Sequence, residues 1–121
     1  VLEPETLASF LHGGETLGQE RFRHRFEVEP EYVERLDAGG LRFSGRHPEF
    51  PIMQVLELPL ETHPYFIGAQ YHPELTGRPL EPQPLFMGLI AAAIARTDPA
   101  FASTETGRRW VRQRNGCTTP A

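Results

Sequence analysis

Lysine is missing altogether: all 12 basic residues are arginine. Schiff-base chemistry and the lysine of a phosphate-binding loop are thereby excluded. Cysteine occurs once, at Cys117, so neither an intrachain disulfide nor a cysteine zinc cluster can form. A single free thiol fits a reducing, cytoplasmic setting. Long hydrophobic runs are also lacking. The longest, Met87 to Ala95, spans nine residues, less than half of the roughly 20 needed to cross a bilayer, so no membrane partner is expected. No basic stretch precedes an apolar segment near Val1, and no signal peptide is read there. With a net charge of −4 and a pI near 5.7, the chain offers no electrostatic ground for nucleic-acid binding.

What is present is enough for one small domain with alternating helix and strand signals. Leu7, Phe10 and Leu11 predict a short helix over Glu5 to Leu11, ended by Gly13-Gly14. From Glu20 to Val28 the pattern has period two: Phe22, His24, Phe26 and Val28 against Arg21, Arg23, Arg25 and Glu27, which predicts a strand. Pro30 opens a helix and Gly39-Gly40 closes it. Strands are predicted over Leu41–Gly45, Ile52–Leu58 and Tyr65–Tyr71, then a proline-rich loop from Leu75 to Pro84. A helix over Leu85–Arg96 carries an apolar stripe of Leu85, Phe86, Leu89, Ile90, Ala93 and Ile94. Residues 1–96 thus form the domain, and 97–121, where periodicity is lost, are expected to be a flexible tail. The arginines between Arg108 and Arg114, with Trp110, read as a solvated stretch.

The chemistry concentrates at Gln70-Tyr71-His72-Pro73-Glu74. In an extended segment residues i and i+2 point to one side, so His72 and Glu74 project together. Pro73 has no N–H to give to a ladder, which should stop there. A histidine oriented by a carboxylate is the base half of a nucleophilic triad. The tripeptide recurs as His47-Pro48-Glu49, in a loop between two strands, where it is read as incidental. No ligand spacing among the histidines supports a metal site.

Two separated segments resemble the distal part of the glutaminase domain of the CTP synthases, class I glutamine amidotransferases. The first is Glu20-Arg21-Phe22-Arg23-His24-Arg25-Phe26-Glu27-Val28. The second runs from His63-Pro64-Tyr65-Phe66 through Gln70-Tyr71-His72-Pro73-Glu74 and Arg78-Pro79 to Pro84-Leu85-Phe86. Leu36 to Gly45 adds a weaker likeness between them, so the resemblance covers roughly residues 1–96. It implies an α/β, flavodoxin-like amidotransferase fold, of which this chain holds several distal strands and a C-terminal covering helix.

The resemblance also implies roles. His72 becomes the general base that deprotonates a cysteine, Glu74 orients it, and Arg25 grips the α-carboxylate of glutamine. In the family, ammonia released from glutamine passes to a synthetase domain that aminates UTP to CTP with ATP and Mg. The family's nucleophile sits in a Gly-x-Cys-x-Gly turn before the arginine-rich run, and residues 1–19 contain no cysteine. Two triad members of three are therefore present, and the chain alone is expected to be silent. It needs no cofactor of its own, and its partners are glutamine and the upstream amidotransferase segment with the synthetase domain, or another subunit. Uncovered apolar surface is expected as well. The alternative is a truncated, non-catalytic amidotransferase-like protein with a glutamine-binding or subunit-contact role.

Overall fold

The computed structural model of the chain describes residues 1–118. Four α-helices surround one small sheet: α1 (Leu7–Leu11), α2 (Pro30–Ala38), α3 (Pro84–Thr97) and α4 (Glu105–Thr118). The strands are β1 (Arg42–Arg46), β2 (Met53–Glu57) and β3 (Ile67–Ala69), in spatial order β1-β2-β3 with both pairings antiparallel. The N-terminal residues extend the β1 edge, where Leu2 bridges Gly45 and Glu3 N–H donates to the Ser44 carbonyl at 2.8 Å. Short connections and alternating side chains produce the hairpins, as the sequence pattern requires.

Local signals explain most helix ends. Thr6 caps α1, its hydroxyl accepting the Ser9 N–H. Pro30 stands in the first turn of α2, and Gly40 follows its C-cap at φ 98°, a conformation glycine adopts at low cost. Gln83 caps α3, its side-chain oxygen accepting the Leu85 N–H. A buried carboxylate does the same work from a distance. Glu57, on β2, accepts the N–H groups of Leu7 at 2.8 Å and Ala8 at 3.0 Å, fastening α1 to the sheet. These are the orphan donors of a helix start, and an ionised acceptor suits them.

Two apolar clusters fill the interior. Leu2, Ala8, Val55, Tyr71 and Leu85 form one between sheet and helices. Leu7, Ala92, Phe101 and Trp110 form the other, with Phe10 and Tyr65 against it.

Three expectations are corrected. The segment Glu20 to Val28 is not a strand: only Phe22 pairs, in a single bridge to Tyr71. The chain bends at Arg25 and Phe26 is 86% exposed, so the alternation finds no second layer to bury into. The face of α3 is also different. Phe86, Leu89, Ile90 and Ile94 are exposed, whereas Leu85, Gly88 and Ala92 are buried. Small residues win that face because the neighbours come close: a Cβ on Gly88 would lie 2.5 Å from Leu11 and 2.8 Å from Tyr65. Finally, the stretch read as a flexible tail is folded up to residue 118. Asp98 and Thr104 cap a 3-10 turn (Pro99–Ser103) and α4, and Phe101 and Trp110 enter the second cluster. Residues 119–121 of the expected tail lie outside the described residues.

Candidate active site

β3 ends at Ala69, and the chain continues in contact with the Glu20 segment. His72 N–H donates to the Arg21 carbonyl at 3.0 Å. From there Pro73–Leu75 make a 3-10 turn in which proline occupies the first turn and His72 is the extended residue before it. A proline with its fixed φ suits that position, and its missing N–H leaves nothing unsatisfied. Sequence alternation placed His72 and Glu74 together by strand geometry; the structure does so by this turn.

The result is a short contact. His72 Nδ1 lies 2.7 Å from Glu74 Oε1. Their side chains are 42% and 58% exposed, so the pair sits at the surface with the imidazole open to solvent. The hydrogen bond to His72 holds the Glu74 carboxyl below its ordinary value, with a smaller contribution from its own backbone N–H. An ionised carboxylate can only accept, so Nδ1 is the donor in this contact, and in the neutral ring the lone pair is then on Nε2. That is the tautomer a general base needs.

Arg25 is exposed at its bend, and the hydrogen bonds and ion pairs found among the described residues do not join it to His72 or Glu74. Cys117 lies in α4, with its side chain outside the described part. Among the described residues no cluster of three His, Cys, Asp or Glu side chains could hold a metal ion, and no helix is long and apolar enough to cross a membrane.

The surroundings of the turn contain residues that the sequence reading passed over. Gln83 (2% exposed) donates from Nε2 to Glu20 Oε1 at 3.1 Å. Thr76 Oγ1 lies 3.3 Å from Glu20 Oε2 and 3.3 Å from the Pro73 carbonyl. His12 Nε2 is 3.4 Å from Glu20 Oε1, and its Nδ1 faces the Ala8 carbonyl at 2.9 Å. Beside them Tyr71 is buried, which pushes its phenol up. Only Gln83 had a readable signal, as a cap immediately before Pro84-Leu85.

Comparison with known proteins identifies the fold and the family. The family described as glutamine amidotransferase class-I matches residues 4–92. A CTP synthase of Haloarcula marismortui is 50% identical over 104 residues, 86% of this chain and 18% of that protein. One of Frankia casuarinae is 49% identical over 98 residues, 81% of this chain and 16% of that protein. The chain thus spans less than a fifth of the length of these relatives. Among solved structures, the Trypanosoma brucei CTPS glutaminase domain with bound acivicin superposes with a TM-score of 0.71 at 28% identity. That match covers 78% of this chain and 37% of the other. The α/β elements around the His72–Glu74 turn are therefore those of an amidotransferase fold, and the chain, similar to the glutaminase part of CTP synthases, belongs to the class I glutamine amidotransferase family.

Proposed function

We propose that this chain works as the distal part of a CTP synthase glutaminase domain and supplies the base half of its catalytic triad. The observation that carries the reading is the 2.7 Å contact between His72 Nδ1 and Glu74 Oε1 on an exposed turn. Glu74 fixes the tautomer and orientation of the ring, which leaves Nε2 free to take a proton. The proton comes from a cysteine thiol on a segment outside this chain. The thiolate attacks the amide carbon of glutamine, and the carbon–nitrogen bond breaks. The imidazolium returns its proton to the departing ammonia, and water then hydrolyses the thioester to glutamate.

Arg25 is assigned the α-carboxylate of glutamine, since a planar guanidinium meets a carboxylate through two parallel hydrogen bonds. Its exposed position leaves it available for that contact. The ammonia serves the ATP- and Mg-dependent amination of UTP to CTP in a synthetase domain beyond this chain. A reducing, cytoplasmic setting goes with this reading. Without the thiolate the chain alone is silent.

The test joins this chain behind the preceding part of the Haloarcula marismortui glutaminase domain and measures ammonia release from glutamine. His72→Ala is expected to lower turnover roughly 10²–10⁴-fold, the usual contribution of a positioned base. Undiminished turnover in His72→Ala would sink the assignment. Treating the isolated chain with a glutamine-like diazo-ketone should give no adduct by intact mass. A His72-dependent adduct on Cys117 would overturn its silence.

A further inference from the structure

The His72–Glu74 turn is exposed and only three residues long, so its own backbone bonds are weak constraints. Leu75 N–H reaches the His72 carbonyl at 3.1 Å, and Gly77 N–H the Pro73 carbonyl at 3.2 Å. Short 3-10 segments of this kind fray unless something outside them holds both ends. Here the hold comes from two consecutive residues. The Arg21 carbonyl takes the N–H of His72 at the start of the turn, and at its end the Glu20 carboxylate shares the hydroxyl of Thr76 with the Pro73 carbonyl, each at 3.3 Å.

Glu20 is itself over-determined. Its side chain is 13% exposed, and besides Thr76 it meets Gln83 at 3.1 Å and His12 at 3.4 Å. Gln83 is anchored in turn as the cap of α3, its Oε1 accepting Leu85 N–H at 2.7 Å. His12 terminates α1, with its ring against the Ala8 carbonyl. One carboxylate therefore ties the end of α1, the start of α3 and the end of the turn. Hydrogen bonds to a charged acceptor are the stronger kind, and a shared, half-enclosed acceptor makes the geometry cooperative.

We infer that Glu20 is a positioning residue for the His72–Glu74 pair, acting through Thr76, with Gln83 and His12 fixing the carboxylate. Glu20 does not touch the pair. It sets the end of the turn on which Glu74 stands, and so keeps Oε1 in line with the imidazole. This rests on the base-half reading above and assigns a residue that the reading did not need.

The test follows the side-chain carboxyl of Glu74 by carbon NMR against pH in the isolated chain, with Glu74→Gln assigning the signal. In the wild type it titrates below the ordinary glutamate range, and His72→Ala returns it towards that range. Glu20→Gln, which keeps the size but replaces one acceptor oxygen by a donor, is expected to undo most of that depression. Thr76→Val should do the same, and Thr76→Ser should behave as wild type. In the Glu20→Gln background Thr76→Val should add nothing. Trp110 fluorescence and the melting temperature establish that each variant is folded, which a purely structural role would satisfy without moving Glu74. Should Glu20→Gln not fold, the contrast between Thr76→Val and Thr76→Ser decides. If either folded variant leaves Glu74 where the wild type has it, the positioning role is wrong. If His72→Ala fails to move Glu74 in the wild-type background, the pair itself is absent and the base-half reading falls first.

Discussion

His47-Pro48-Glu49 and His72-Pro73-Glu74 are the same three residues with opposite hydrogen bonding. At the first, His47 Nδ1 accepts two backbone N–H groups, from Glu49 at 3.1 Å and Phe50 at 3.3 Å. Its ring leans on Phe50 with centroids 5.0 Å apart. An Nδ1 that accepts must hold its lone pair, so the proton is on Nε2 and the outward nitrogen is no base. At the second, Nδ1 meets a carboxylate and the roles are reversed. His63 resembles the first case, its Nδ1 accepting Tyr65 N–H at 3.1 Å. Among the described residues His72 is the imidazole whose Nδ1 meets a carboxylate.

The cause is what each tripeptide connects. His47 closes the β1–β2 hairpin, its N–H held by the Ile52 carbonyl at 2.9 Å. The loop folds back so sharply that two N–H groups need an acceptor, and the ring supplies one. His72 leaves the sheet for a turn pinned from outside by Glu20 and Arg21. Backbone needs are met there by other carbonyls, which frees the ring for Glu74. A tripeptide does not determine the tautomer of its histidine; the partners of its neighbours do.

Changes to the frame the two share test this contrast most strongly. Glu57→Ala strips two buried N–H groups at the start of α1 of their acceptor. It should cost on the order of 3 kcal/mol, at about 1–3 for each unsatisfied buried group. The melting temperature should drop by about 10 °C or more. Both tripeptides should lose their amide protection together, and loss at one alone would show that they do not share a frame.

Gly45→Ala acts on one side. Its Cβ would stand 2.7 Å from Val55 Cγ2, an overpacking cost of about 1–3 kcal/mol. Amide shifts should concentrate around His47 and spare residues 72–76; equal shifts at both would break the comparison.

Replacing the rings separates structure from chemistry. His47→Ala removes the acceptor of two backbone groups and should cost about 0.5–1 kcal/mol in denaturant unfolding, tempered by exposure. His72→Ala should stay within about 0.5 kcal/mol. The reverse ranking would mean that His72, not His47, is the structural histidine.

The smallest effect is the pH response of the pair. The folded-state value of Glu74 is lowered, first by its hydrogen bond to His72. The unfolded chain therefore binds more protons in that window, and the contribution of Glu74 to stability rises with pH. It is complete above the ordinary glutamate value and is lost as pH falls through the lowered one. A Glu74→Gln chain should show a flatter acid limb in unfolding measured against pH. An identical limb would mean that the pair contributes nothing to folding.

Elements whose ends carry punctuation were legible in the sequence. Pro30 and Gly39-Gly40 bracket α2, and the alternations around Met53–Glu57 and Ile67–Ala69 are strands. The Glu20–Val28 alternation failed because period two records which side chains can share a face, not whether a layer exists to cover it. The apolar stripe of α3 failed for a related reason. Hydrophobicity ranked Phe86, Leu89 and Ile90 as core, but closeness of α1 and Tyr65 selected Gly88 and Ala92. Phe101 and Trp110 were passed over because buried residues nine apart, joined through a turn, leave no periodic trace.

At the site, the ordered motifs from Glu20 to Phe86 were enough to name His72, Glu74 and Arg25 as candidates. Adjacency along the chain was enough to put His72 beside Glu74, because one proline turn limits where two residues can go. That Glu20 meets Thr76 56 residues away and that Glu57 holds α1 from 50 were decided only in three dimensions. Contacts across such separations depend on how the intervening chain packs, and no local propensity encodes that.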